Sequence, residues 1–237
     1  MASTKVKAIV IGGVNIKEKD RLITIFSLEQ GKMVVSMKGV RGEKAKLKSA
    51  KEIFCFGDFV IEQGKNSSIV TAVDIIDNFY ALTNDVEKYY QACAIVDVVS
   101  HIASEESNPR LFIELIKALK CLCYEDVKKY LVVDKFLISV FKAMGYDFLT
   151  ANCSSCGATL SQKYFNLDIG EIVCPACKTS FCLPLADSAY SAMRILANTD
   201  YDKLPTVKFG GMGEVQAFNI LAKNYEFRTG FKLLEII

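Results

Sequence analysis

The stretch Leu22-Ile-Thr-Ile-Phe-Ser-Leu-Glu-Gln-Gly-Lys-Met-Val-Val-Ser-Met37 reads as two short apolar runs around a turn. Leu22 to Phe26 and Met33 to Met37 are rich in β-branched and aromatic side chains, and Glu29-Gln30-Gly31 between them suits a tight connection. On this reading the pair is a β-hairpin. Leu22, Ile25 and Phe26 also satisfy a helical period, so a helical turn at this segment fits the same residues. Outward from the hairpin, Val6 to Ile11, Phe54 to Ile61 and Ile69 to Ile75 repeat the strand signature. Gly12-Gly13, the glycines of residues 39–42 and Gly64-Lys-Asn-Ser-Ser68 punctuate them. Five short antiparallel strands suit a small closed barrel of the oligonucleotide-binding (OB) kind, because closure removes exposed strand edges. An SH3-like barrel fits the same pattern.

From residue 84 the period changes to that of helices. Asn84 with Glu87 three residues later makes a capping-box-like start, and Asn108-Pro109 places a cap before a first-turn proline. The spacing predicts helices near 85–104, 109–123 and 126–144, the last ending at Gly145 in the left-handed position that closes helices. A cysteine-bearing insert follows, and helical pattern resumes near 186–197 and 213–225. The expected organisation is α+β and multidomain. A five-stranded OB-fold barrel occupies 1–80, an all-helical domain is built from 81–149 and 183–237, and a four-cysteine zinc ribbon is inserted at 150–182.

The chain has 237 residues, 51% of them hydrophobic, which is ample for packed cores. Its 29 basic and 27 acidic side chains leave a net charge of only +2, so overall charge announces no polyanion partner. The distribution is uneven: residues 1–80 carry 13 basic against 9 acidic side chains, and the remainder 16 against 18. The start shows no signal-peptide pattern, and no apolar run approaches the roughly 18 residues of a membrane span. A cytoplasmic protein without membrane contact is expected. Nine cysteines in a reducing compartment point toward metal rather than a disulfide framework.

The sharpest motif is Cys153-Ser-Ser-Cys156-Gly followed, after 17 residues, by Cys174-Pro-Ala-Cys177. Each C-x₂-C turn lets two thiolates converge, and two turns complete a tetrahedral site for one Zn²⁺ ion. Tyr164 to Leu167 and Glu171 to Val173 read as short strands between the turns. Four cysteines close the coordination shell, so the expected metal is structural. Redox pairs would need a helix start in a βαβ context, which is missing. Cys182 reads as a spare thiol, with substitution for one of the four ligands as the alternative. Cys55, Cys93, Cys121 and Cys123 read as small core residues.

A second signal is Lys38-Gly-Val-Arg41-Gly-Glu-Lys44-Ala-Lys46-Leu-Lys48-Ser-Ala-Lys51, where six cations accompany the single carboxylate of Glu43. Between two barrel strands, such lysines and a forked guanidinium can track a phosphate backbone, with counterion release as the driving force. A solvated loop that serves only solubility accounts for the same charges. Gly39 and Gly42 permit close backbone approach. Phe54, Phe56 and Phe59 are candidate stacking platforms, although strand aromatics more often fill cores. No phosphate-binding G-x-x-x-x-G-K-[ST] loop is present, and Gly210, Gly211 and Gly213 read as a helix entry. His101, the single histidine, has no partner set for catalysis, and the carboxylates show no paired catalytic spacing. The expectation is a non-enzymatic protein.

The run Lys17-Glu-Lys-Asp20-Arg21-Leu-Ile-Thr-Ile-Phe-Ser-Leu-Glu-Gln-Gly31-Lys32, then Lys38-Gly-Val-Arg41-Gly and Phe54-Cys-Phe-Gly-Asp58, resembles the N-terminal barrel of the bacterial recombination mediator family RecO. The helical region, the paired cysteine turns and the closing Phe218 to Leu234 segment with Arg228 and Lys232 are similar to the same family. The likeness therefore spans nearly the whole chain. It implies binding of single- and double-stranded DNA, annealing of complementary strands and, with RecR, assistance to RecA loading on DNA coated by single-strand-binding protein. It further implies contact of the helical domain with the acidic, hydrophobic C-terminal tail of that protein, and association with the nucleoid. Carried over residue by residue, it implies a DNA-contacting surface at Lys38, Arg41, Lys44, Lys46, Lys48 and Lys51 and metal ligands at Cys153, Cys156, Cys174 and Cys177. This loop has lysines where many members favour arginines, and some members lack the four cysteines. The rival reading is a zinc-ribbon protein-interaction adaptor without direct DNA binding.

Overall fold

The fold was read from a computed structural model, which describes residues 3–16, 18–42, 47–64, 67–128, 130–209 and 212–234. Five strands form the N-terminal sheet: β1 Ser3–Asn15, β2 Arg21–Ser27, β3 Gly31–Met37, β4 Phe56–Gln63 and β5 Ser68–Asp77. They close in the order β1-β2-β3-β5-β4. β2 pairs along its whole length with β1 and β3, so the Leu22–Phe26 run is a strand and not a helical turn. The period of two wins because it sends Ile23 and Ile25 inward beside Val6, Ala8, Val10, Val35, Met37, Phe59 and Ile61, all buried in one core. Closure between β3 and β5 is parallel and rests on the pair Ser36↔Ile69. With β5 returning beside β3, the barrel is of the OB type.

β4 starts at Phe56, two residues later than the apolar run suggests. Phe54 adopts a left-handed backbone (φ 72°) and exchanges backbone hydrogen bonds with the bulged middle of β1: Phe54 N–H donates to Val10 O, and Val10 N–H donates to Cys55 O. β1 carries its bulge between Val10 and Gly12, where a long strand bends around a small barrel.

Five helices follow: α1 Val86–Ile102, α2 Pro109–Tyr124, α3 Leu131–Ala143, α4 Asp187–Ala197 and α5 Met212–Thr229. The cap at Asn108 is realised, its Oδ1 accepting from Leu111 N–H at 3.1 Å. At α1 the cap falls one residue later than expected, on Asp85, whose Oδ1 accepts from Lys88 N–H at 3.0 Å. Residues 80–84 already form a 3₁₀ turn, which takes Asn84 out of the capping position. α3 begins at Leu131 after Tyr130, which has φ 70°, and Gly145 follows its end at φ +92°.

By contacts the chain divides into two units, one of residues 1–84 with 96–113, the other of residues 85–95 with 114–237. In the first, Phe112 packs on Phe26 and Phe56 with ring centroids 5.8 and 6.1 Å away. Lys32 N–H donates to Ser104 O, and Ser107 Oγ donates to Leu28 O, so the β2–β3 hairpin is held by the segment joining α1 to α2. In the second, α3, α4 and α5 pack together beside a three-stranded antiparallel sheet of order β7-β6-β8, with β6 Lys163–Asn166, β7 Glu171–Val173 and β8 Cys182–Leu185. β8 has no counterpart in the sequence reading, because Cys-Leu-Pro-Leu is short and contains the strand-breaking Pro184.

Candidate metal centre and nucleic-acid interface

The four cysteines of the paired turns come together. Sγ atoms of Cys153, Cys156, Cys174 and Cys177 all lie within 4.8 Å of one another. Both knuckles are built from the backbone: Cys153 N–H donates to Ala158 O and Gly157 N–H to Cys153 O, while Cys177 N–H donates to Cys174 O across a 3₁₀ turn at Pro175–Cys177. Ser154 fastens the first knuckle to the sheet, its N–H and Oγ both donating to Ile172 O. Cys156 and Cys174 Sγ are 3.7 Å apart. Four sulfurs at about 2.3 Å from a tetrahedral zinc stand about 3.8 Å from one another, so the spacing is compatible with a zinc site.

Electrostatics agree with that donor set. Burial pushes the Cys153 thiol up, but backbone N–H groups of Cys174, Cys156 and Ser155 aimed at its sulfur outweigh burial and bring it down to about 6. Cys177 is pushed up to about 12, chiefly by hydrogen bonding with Cys156 and Cys174, then by burial and the Cys153 charge. Four crowded sulfurs ionise together only with a cation among them, so the donor set is compatible with a divalent ion. Cys182 stands apart from this cluster on β8, and its Sγ accepts from Thr179 N–H at 3.3 Å. Burial pushes the Cys55 thiol up to about 11 and the Cys121 thiol up to about 12, the latter donating to Tyr201 O, as core thiols should be.

One residue whose role is invisible in the motif ties the ribbon to α5. Arg228 Nη2 donates to Leu167 O at 3.2 Å and Asp168 O at 3.5 Å, Nε donates to Asn224 Oδ1, and the guanidinium lies 3.8 Å from the Tyr146 ring centroid. Gly170 makes room: a Cβ there would come within 2.1 Å of Arg228 Nη2. Spacing carries no signal for this, since the partners are main-chain carbonyls about sixty positions away.

On the barrel, the described parts of the basic segment, residues 38–42 and 47–51, are anchored by apolar side chains. Val40 and Ala50 are buried in the barrel core and Leu47 packs against it, while Lys38, Arg41 and Lys48 are exposed. Asp20 holds the turn, Oδ1 accepting from Gly39 N–H at 2.9 Å and Oδ2 pairing with Lys38 at 3.2 Å. Arg41 N–H donates to Lys19 O and its Nη1 to Glu18 O, so the β1–β2 turn and the 38–42 turn form one corner of the barrel. Lys51 is half-buried and ion-paired with Glu52. Lys44 and Lys46 lie outside the described residues. Phe54, Phe56 and Phe59 are buried at 2, 6 and 0% exposure, which removes all three as stacking platforms. Among the described residues, no helix is long and apolar enough to cross a membrane.

Fold and site define a class: an OB-fold barrel joined to a helical unit that carries a four-cysteine ribbon. The family profile for recombination protein O, N terminal, matches residues 1–79, and that for recombination protein O, C terminal, matches residues 83–234. A Clostridium perfringens (strain 13) protein named DNA repair protein RecO is 30% identical over 208 residues, covering 86% of this chain and 84% of the relative. A protein of the same name from Acetivibrio thermocellus is 29% identical over 204 residues, covering 84% and 81%. The chain belongs to the recombination protein O family.

Proposed function

We propose that the protein is a DNA-binding mediator of recombination and repair that works without covalent chemistry. It binds single- and double-stranded DNA, anneals complementary strands and, with RecR, assists RecA loading onto DNA coated by single-strand-binding protein, in the cytoplasm at the nucleoid. The observation that carries the DNA-binding part is the corner at residues 38–51, whose apolar members are sunk in the barrel while Lys38, Arg41 and Lys48 face solvent. Lys44, Lys46 and Lys51 complete the proposed surface. Exposed cations on a firm base neutralise phosphates without reading bases. Cys153, Cys156, Cys174 and Cys177 would hold one structural Zn²⁺, which supplies charge neutralisation and a cross-link for the ribbon. The division into a barrel at 1–80, a helical domain at 81–149 with 183–237 and an insert at 150–182 belongs to the same reading.

For the tail of single-strand-binding protein, the cavity of about 510 Å³ in the helical unit is the proposed seat. Lys117 and Lys120 line it together with Cys121, Tyr124 and Tyr201, as do Glu125, Asp200 and Asp202. The two lysines are the groups to test with an acidic peptide. A protein-interaction adaptor draws support from a different place, the exposed pair Phe181 and Phe227, whose ring centroids are 6.0 Å apart. Annealing of complementary strands coated with single-strand-binding protein separates the two readings. The mediator accelerates it and Arg41→Gln with Lys48→Ala abolishes the gain; an adaptor leaves the rate unchanged and shows no anisotropy change with a labelled oligonucleotide at low salt.

A further inference from the structure

We propose that Arg21, outside the lysine-rich run, is a preorganised phosphate contact of the barrel, an inference that rests on the DNA-binding reading of the adjacent corner. Arg21 opens β2, pairing with Asn15 on β1 and Met37 on β3, so its backbone sits beside Lys38 and the 38–42 turn. Its side chain folds back across β1. Nη1 donates to Asn15 Oδ1 at 3.3 Å and Nη2 to Gly13 O at 3.5 Å, both at the exposed surface. Gly13 makes this path possible: a Cβ there would stand 3.1 Å from Arg21 Nε and 2.7 Å from Leu22 O. Gly13 thus clears a track for the guanidinium.

What separates Arg21 from its neighbours is that none of the described residues gives it a counter-charge. Lys38 is neutralised by Asp20, Lys51 by Glu52, and Lys5 and Lys7 share Asp58. Arg21 bonds only to neutral oxygens. Its Nε is buried without a partner, which leaves one donor unmet. One N–H remains on each Nη. A planar fork already held in place loses little side-chain entropy when it grips an anion, and it matches the two oxygens of a phosphodiester. The cost of holding an unpaired guanidinium against the strand is offset when a polyanion arrives. The ligand class is therefore the sugar–phosphate backbone, single-stranded or duplex, without base preference.

The test is fluorescence anisotropy of full-length protein with a labelled oligothymidylate over a KCl series. Arg21→Gln should weaken binding about tenfold and lower the log–log salt slope by about 0.7, with an unchanged thermal midpoint. Lys5→Ala, whose charge is already held by Asp58 and which lies outside the proposed surface, should move neither. If Arg21→Gln keeps the parental slope while Arg41→Gln with Lys48→Ala lowers it, Arg21 is no contact and the corner still is. Parental slopes in both variants overturn the DNA-binding reading itself. Should Arg21→Gln fail to fold, Arg21→Lys decides: it should keep the slope and lose affinity, and parental affinity would refute the preorganised fork.

Discussion

The barrel and the helical unit solve the problem of burial in opposite ways. Among the described residues, the buried polar ones of the barrel unit are Ser27 and Ser36, whereas the helical unit buries Gln91, Asp134, Lys135, Asn166 and Asn224. The barrel keeps its charges outside and relies on alternation and apolar volume. The helical unit accepts desolvated groups and gives several of them specific partners, while Asp134 Oδ1 and Asn224 Nδ2 are left without one. Lys135 Nζ donates to Ala197 O at 3.2 Å and lies over the Tyr201 ring. Tyr201 OH donates to Glu114 Oε2, and Arg228 spans Asn224 and two ribbon carbonyls. On the proposed DNA-binding reading, the barrel's cationic surface gains from a neutral interior, since no buried charge competes with it. A unit that holds a ribbon in one register gains from directional bonds that a greasy core lacks.

The sharpest way to break this contrast is to remove one of the four clustered cysteines proposed to hold zinc. Cys174→Ser should abolish stoichiometric zinc in elemental analysis and open residues 150–182 to limited proteolysis, because metal binding is worth on the order of 10 kcal/mol in small four-ligand sites. A protease-resistant ribbon in the variant would show that hydrogen bonds alone suffice. Next in size, Phe59→Ala in the barrel should cost about 4 kcal/mol in urea unfolding, as cavity formation in a wholly apolar core does. A loss under about 1 kcal/mol would mean that the barrel collapses around the gap.

Asp134 sharpens the comparison through pH. Burial holds its carboxyl well above the ordinary carboxylate range, Glu214 adds repulsion, and Oδ1 has no partner. At low pH the folded and unfolded chains both carry it neutral. As pH rises through the unfolded value, about 4, only the unfolded chain ionises, so stability falls until the folded-state value is passed. Asp134→Asn should remove this loss, gaining about 2 kcal/mol over the parent at pH 7 relative to pH 4. Equal pH profiles would refute the assignment. Smallest, Arg228→Met should cost about 1 to 2 kcal/mol and raise hydrogen exchange at Gly170, whose N–H donates to Asn166 O inside the turn that Arg228 holds.

Much of the architecture was legible locally. The five strand runs, the Asn108 cap, the closing Gly145 and the paired cysteine turns are signals written within a few residues, where backbone preference and side-chain period act directly. Boundaries moved where a neighbour intervened: Phe54 left the strand to bond with the β1 bulge, and α1 took its cap from Asp85 once a 3₁₀ turn had absorbed Asn84. The three phenylalanines show the same limit. Their type admits stacking or core, and only the closure of the barrel and the arrival of Phe112 decide for core.

By itself, then, the amino-acid order determined which segments pair or coil, that four cysteines share one site, and that cations concentrate near one barrel loop. Tertiary structure alone decided which of those cations keep their charge unopposed, that Cys182 stands outside the sulfur cluster, and that Arg228 ties the ribbon to α5. The reason is physical: period and spacing are properties of adjacent residues, while counter-charge, desolvation and carbonyl partners come from groups tens of positions away that only folding brings within reach.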